Sequence, residues 1–183
     1  MWVGLKFLSR DIRKYGDGNP GAANVFRAGG RKLGAVALLL DVVKGVPFIL
    51  LASYLELHEM AVFIVALSAI LGHAFSPFLG FKGGKAIAVT FGALAALPQR
   101  DILFTFAIFM FLGFLFLDVD GWIVMLGPSS TLAYLAAIRG SSWELIFMTC
   151  IFILFIVKQF EDLKTLPRLK GKLIRLLSKR RTT

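Results

Sequence analysis

The sequence predicts an all-α, polytopic helical membrane protein with about six transmembrane helices. Three observations carry this. Hydrophobic residues make up 57% of the 183 residues and the mean hydropathy is +0.77, well above a soluble domain. The apolar residues lie in long runs separated by short Gly/Pro or polar breaks. None of the runs alternates as a strand does, and in lipid only helices then satisfy the backbone within one segment.

Taken in order, the expected spans are residues 33–55, 60–79, 86–98, 102–117, 122–138 and 143–157. Several are shorter than the roughly 20 residues that cross a bilayer, so flanking residues, local thinning or burial against other helices must complete them. Before the first span, residues 1–32 are read as a glycine-rich cytoplasmic loop, and the opening MWVGLKFLSRDIRK is too charged and too poor in apolar residues for a leader peptide. Residues 33–157 then form the transmembrane bundle and residues 158–183 a basic cytoplasmic tail, the whole being a single membrane domain.

Six spans place both termini on one side, and the basic residues choose the cytoplasm. Seven lie before residue 33, nine from Lys158 onward, and Lys82 and Lys85 in the second intervening loop; the alternate loops hold only Arg100 and Arg139. The loop Asp118-Val119-Asp120-Gly121 breaks the pattern, being acidic on the side predicted to be basic. The formal charge of +10 is concentrated in terminal blocks beside apolar segments, which points to anionic headgroups rather than nucleic acid. The tail KTLPRLKGKLIRLLSKRRTT reads equally well as an amphipathic surface helix or as a basic topology signal. The one cysteine, Cys150, lies in an apolar run, leaving no disulfide framework and no metal set.

Three stretches carry chemistry. In YGDGNPGAANVFRAGGRK, residues 15–32, Gly16, Gly18 and Gly21 permit a loop whose amides converge, and Arg27 adds a bidentate partner for phosphate. Glycines that merely turn the chain, with asparagines capping a helix, would give the same stretch. In GHAFSPFLGFKGGKAIAVTFG, residues 72–92, Lys82-Gly83-Gly84-Lys85 precedes a helix N-terminus, which is the physics of an anion site without the spacing of a Walker loop. His73 is either a base or a hydrogen-bonded structural residue, with no carboxylate partner visible in the sequence. In LLLDVVKGVPFILL, Asp41 and Lys44 stand i, i+3 within an apolar span, as an ion pair facing the bundle interior or as a structural pair near its cytoplasmic end.

In this order the three stretches resemble those of the bacterial acyl-phosphate:glycerol-3-phosphate acyltransferases, the PlsY type, over about residues 10–95. The resemblance implies a membrane enzyme of phospholipid synthesis in the bacterial inner (plasma) membrane. It would move an acyl group from acyl phosphate to glycerol 3-phosphate, giving lysophosphatidic acid without metal, cofactor, acyl-CoA or acyl carrier protein. Its partners would be those two substrates and membrane lipids. By position, Asn19, Gly21, Asn24 and Arg27 fall on the family's first motif and His73, Gly83, Gly84 and Lys85 on its second, where the family binds phosphate-bearing substrate. The resemblance names no catalytic residue.

The departures are specific. The family usually has seven spans, the first preceding the first motif, and no such span is read in the 15 residues before Gly16 here, as a misplaced start or a rebuilt bundle would give. Asp17 replaces a serine inside the cradle, where a carboxylate about 4 Å from a bound anion repels it by roughly 4 kcal/mol at an effective dielectric near 20. It must turn outward, cap a helix or neutralise a cation. Ala86 replaces a glycine and is expected in a helix's first turn. In the region of an Arg-aromatic-x-Ser motif Trp122 keeps the aromatic but neither the arginine nor the serine is in place, Ser129 and Ser130 lying farther on, and KQFEDL replaces a His- and Asn-bearing segment near the C-terminus, with Glu161 its clearest match. These departures leave a second reading open: a non-catalytic or regulatory paralogue that retains a phosphate or lipid-headgroup site. A transporter is disfavoured by the absence of an internal repeat.

Overall fold

The computed structural model describes residues 2–171, so most of the tail assigned a surface helix or a topology signal, residues 172–183, lies outside the described residues. The described residues are helical throughout, with a single isolated antiparallel bridge, Leu117 to Leu169, in place of any strand. The chain is a polytopic helical membrane protein and divides into two compact units, Met1–Arg100 and Asp101–Thr183.

The first unit opens with α1 (Trp2–Leu8), a single 3₁₀ turn (Ile12–Lys14) and α2 (Ala22–Arg27), so the stretch read as a loop contains ordered helical turns. They form because they share a core: Val3, Ile12, Ala22, Val25, Ala28 and Ala37 are buried together, with Leu8, Tyr15 and Leu33 packed against them. The Arg10 guanidinium donates to the Ala28 carbonyl at 2.5 Å, tying the opening turn to the end of α2.

The predicted span 33–55 is two helices, α3 (Arg31–Val43) and α4 (Pro47–Tyr54). Proline lacks an N–H and favours the first turn of a new helix, so the chain is interrupted at Lys44-Gly45-Val46 and restarts at Pro47. Together they run as one apolar stretch, Arg31–Tyr54, long enough to cross a membrane. The next stretch of that length is Glu59–Leu79, made of α5 (Glu59–Ala74) and a 3₁₀ turn at Pro77–Leu79; α6 (Ile87–Ala96) is apolar but shorter. α3 and α6 approach through glycine. A Cβ on Gly92 would overlap the Val42 carbonyl, and one on Gly45 would stand 2.6 Å from the Val89 carbonyl.

The second unit holds α7 (Arg100–Phe116), α8 (Asp120–Ile138), α9 (Trp143–Lys158) and the single turn α10 (Phe160–Leu163). Its core includes Phe106 and Phe155, edge to face at 6.3 Å, with Gly127 packed on the Phe106 ring. The acidic loop that broke the charge pattern is covered by chain from the basic tail. The Asp118 amide donates to the Arg168 carbonyl at 2.9 Å and the Lys170 amide to the Phe116 carbonyl at 2.9 Å.

Candidate functional site

The first glycine-rich stretch folds around one carboxylate. Gly16 and Gly18 adopt φ of +56° and +74°, the left-handed region open to glycine, and bend the chain so that Asp17 points back over α2. A Cβ on Gly16 would overlap the Arg27 guanidinium and lie 2.5 Å from Asn24 Oδ1, so the turn is pressed onto those side chains. Asp17 Oδ1 accepts from the Asn19 amide at 3.2 Å and from Asn24 Nδ2 at 3.0 Å. Asn24, itself buried, also donates to the Asn19 carbonyl at 2.8 Å and accepts from Arg27 Nη1 at 2.8 Å. Arg27 Nη1 stands 3.7 Å from Asp17 Oδ1.

The second stretch supplies the facing wall. From the end of α5 the chain turns through Gly80 and Phe81, both left-handed, to Lys82-Gly83-Gly84-Lys85. Lys85 Nζ lies 3.0 Å from Asp17 Oδ2. Asp17 therefore neutralises a cation, and the cation belongs to the other motif, 68 positions along the chain. Burial pushes the Asp17 carboxyl up, but the hydrogen bond to Lys85, the Asn19 amide, the Lys85 charge and the Asn24 amide together carry it below the ordinary carboxylate value.

Ala86 departs from the sequence expectation. It is the N-cap of α6, not part of its first turn, and has φ +63° and ψ +6°, a left-handed conformation that costs an L-residue about 1–2 kcal/mol. A glycine at this position would adopt it without strain.

Seven of the eight predicted binding residues, Asn19, Gly21, Asn24, Arg27, Gly83, Gly84 and Lys85, thus lie on two facing walls joined through Asp17. Gly21 caps α2, and a Cβ there would meet Asn19 only at an ordinary 3.7 Å, so packing alone does not require glycine. Asn19 Oδ1 is buried with no hydrogen-bond partner, an acceptor left over in the cradle. The eighth residue, His73, lies beneath the second wall and has the carboxylate partner the sequence did not reveal: its Nδ1 is 3.8 Å from Asp41 Oδ1. Lys44 Nζ holds the same oxygen at 2.5 Å, as the i, i+3 spacing predicts.

In the second unit the residues singled out by sequence are engaged locally. Trp122 Nε1 donates to the Thr165 carbonyl at 2.7 Å, Ser129 Oγ to the Met125 carbonyl of its own helix at 2.7 Å, and Lys164 to exposed Glu161 at 2.8 Å. No group of three or more His, Cys, Asp or Glu among the described residues is placed to hold a metal ion.

Comparison with known proteins bears on this geometry. A family model described as glycerol-3-phosphate acyltransferase matches residues 1–168. The glycerol-3-phosphate acyltransferase of Listeria welshimeri is 37% identical over 163 residues, covering 86% of this chain and 79% of that protein. The Neisseria gonorrhoeae enzyme of the same name is 37% identical over 175 residues, covering 93% and 86%. The crystal structure of PlsY, an integral membrane glycerol 3-phosphate acyltransferase, in its glycerol 3-phosphate form superposes with a TM-score of 0.80 at 26% identity, over 96% of this chain and 90% of that one. Its lysophosphatidic acid form superposes at 0.71.

Proposed function

This chain belongs to the glycerol-3-phosphate acyltransferase family, and we propose that its two glycine-rich walls hold the phosphoryl group of substrate where the Asp17 carboxylate now sits. The enzyme transfers an acyl group to glycerol 3-phosphate and so serves phospholipid synthesis; the donor in this reading is an acyl phosphate. One observation supports it above the others: a single anion is held at once by Lys85, Asn24 and the Asn19 amide, with Arg27 beside it. Two cations face one carboxylate, and a phosphoryl group in the place of that carboxylate would meet both.

The chemistry needs little beyond this. The acceptor hydroxyl attacks the acyl carbon, the bond from that carbon to the phosphate oxygen breaks, and inorganic phosphate leaves with the electron pair and takes up the proton that the hydroxyl loses. Because phosphate is already a good leaving group, positioning and electrostatic stabilisation supply much of the rate. Lys85 and Arg27 would neutralise phosphoryl charge, the N-terminus of α6 adds its dipole, and the unpartnered Asn19 Oδ1 suits a hydroxyl donor. The site lies at the cytoplasmic edge of the bacterial inner membrane, with both termini cytoplasmic and lipid around residues 33–157.

The test is acyl transfer from palmitoyl phosphate to glycerol 3-phosphate by purified protein. Product formation that survives both Lys85→Ala and Arg27→Ala would exclude this cradle as the site, and a folded protein that makes no product would favour a binding-only paralogue.

A further inference from the structure

Beneath the second wall, one imidazole fills the space that side chains on the loop would need. The His73 side chain is only 9% exposed, and its Nδ1 edge faces Asp41, which Lys44 also holds. Its opposite edge is pressed against Gly84. A Cβ there would overlap Nε2 and stand 2.9 Å from Cε1 and 3.1 Å from Cδ2. The backbone is equally close: the Gly84 amide donates to the His73 carbonyl at 3.2 Å and the Gly83 amide to the Ala74 carbonyl at 3.1 Å. A Cβ on Gly83 would overlap the His73 carbonyl and lie 2.7 Å from that of Ala74. The loop therefore rests on the end of α5 with no room for a methyl group at either glycine.

Asp41 is fixed in the same frame, because α3 meets α6 at backbone distance through Gly92 and Gly45, and α6 begins directly after Lys85 and Ala86. A ring this enclosed, with a carboxylate 3.8 Å from one edge, has little freedom to yield on the other.

We propose that His73 is a positioning residue: oriented by Asp41, it props the Lys82-Gly83-Gly84-Lys85 segment at the height that brings the Lys85 ammonium to the cradle. The consequence for substrate rests on the reading above, in which this segment holds phosphate. A general base would need a ring nitrogen on the reacting atoms, whereas here one nitrogen faces Asp41 and the other the Gly84 backbone.

A double-mutant cycle tests the prop through its own geometry. Gly84→Ala drives a methyl into the imidazole; in a His73→Ala background that space is empty. Gly84→Ala alone is expected to lower the melting temperature in detergent and to raise KM for glycerol 3-phosphate by roughly tenfold, with kcat within about twofold. In the His73→Ala background the same substitution costs much less in both measurements. Asp41→Asn, which keeps the shape and loses the charge, raises KM by a smaller factor. A Gly84→Ala penalty that is the same in both backgrounds overturns the prop. Coupling seen in the melting temperature while KM stays unmoved by every variant upholds the prop and removes the phosphate-holding role of the segment. A His73→Gln protein that loses kcat at unchanged KM overturns positioning in favour of direct proton transfer.

Discussion

Two charged clusters in this protein have opposite compositions. In the first unit Lys85 and Arg27 converge on one carboxylate, Asp17, which is 38% exposed. In the second, the Arg139 guanidinium donates to Asp101 at 2.7 Å and also pairs with Glu144, whose side chain is only 8% exposed, while Tyr134 donates to Asp101 at 3.1 Å. The first cluster is built on glycine-rich turns and sets two cations against one acid. The second is built from the ends of α7, α8 and α9 and has acid to spare. A carboxylate that is 38% exposed, as Asp17 is, can give way to another anion, whereas Glu144, 8% exposed and paired with Arg139, makes the second cluster a staple between helices. The difference separates the proposed site from a strut even though both are drawn as salt bridges.

The largest expected effect sharpens that separation from the site's side. Lys85→Ala should lower kcat/KM for acyl transfer by roughly 10²–10³-fold, the usual cost of removing one preorganised charge-stabilising donor. Its melting temperature should move much less than its activity, because the carboxylate it pairs with is 38% exposed and such a pair contributes about 1 kcal/mol. Next comes the strut. Arg139→Ala leaves Glu144 buried without its cation, for which about 3 kcal/mol of stability is expected to be lost, read as a lower melting temperature with activity per folded molecule retained. A variant pair that exchanged these phenotypes would overturn the assignment of site and strut.

A smaller effect is expected at the left-handed Ala86. Ala86→Gly removes the penalty of a Cβ at φ +63° and is expected to stabilise the protein by about 1 kcal/mol, after allowing for the greater freedom of glycine in the unfolded chain. Thermal unfolding beside the parent protein measures this, and a loss of stability would mean that packing of the buried Ala86 methyl outweighs the backbone strain.

How far the sequence reached differs between the two clusters for a physical reason. The helical spans were legible because lipid demands apolar runs, and the Asp41 and Lys44 pair because helical spacing is local. The glycines of both walls were legible as flexible, phosphate-compatible turns. The ion pair between Asp17 and Lys85 and the approach of Asp41 to His73 were not, since each joins residues far apart in the chain and depends on how α3, α5 and α6 pack. The left-handed state of Ala86 was hidden because it depends on where α6 starts, a boundary that composition does not fix. Arg139, read only as one of two basic residues in alternate loops, became a strut through contacts to two helices that no local pattern announces.

The smallest effect concerns the anion already in the cradle. Asp17→Ser removes the carboxylate that faces Lys85 and Arg27, and because that carboxylate is 38% exposed, the gain in affinity for glycerol 3-phosphate is expected to be about fivefold at most. The pH dependence follows from the direction of the Asp17 shift. A carboxyl whose folded-state value lies below its ordinary 3.8 stays ionised, and keeps its ion pair, at every pH above that value; the pair is lost only as pH falls below it. The ratio of the Asp17→Ser affinity to that of the parent, measured by calorimetry, should therefore stay flat between pH 8 and pH 5, since titration of the ligand's own phosphate acts on both proteins. A ratio that declines across that interval would show Asp17 taking up a proton there, and a carboxylate that protonates near neutral pH is not held by Lys85.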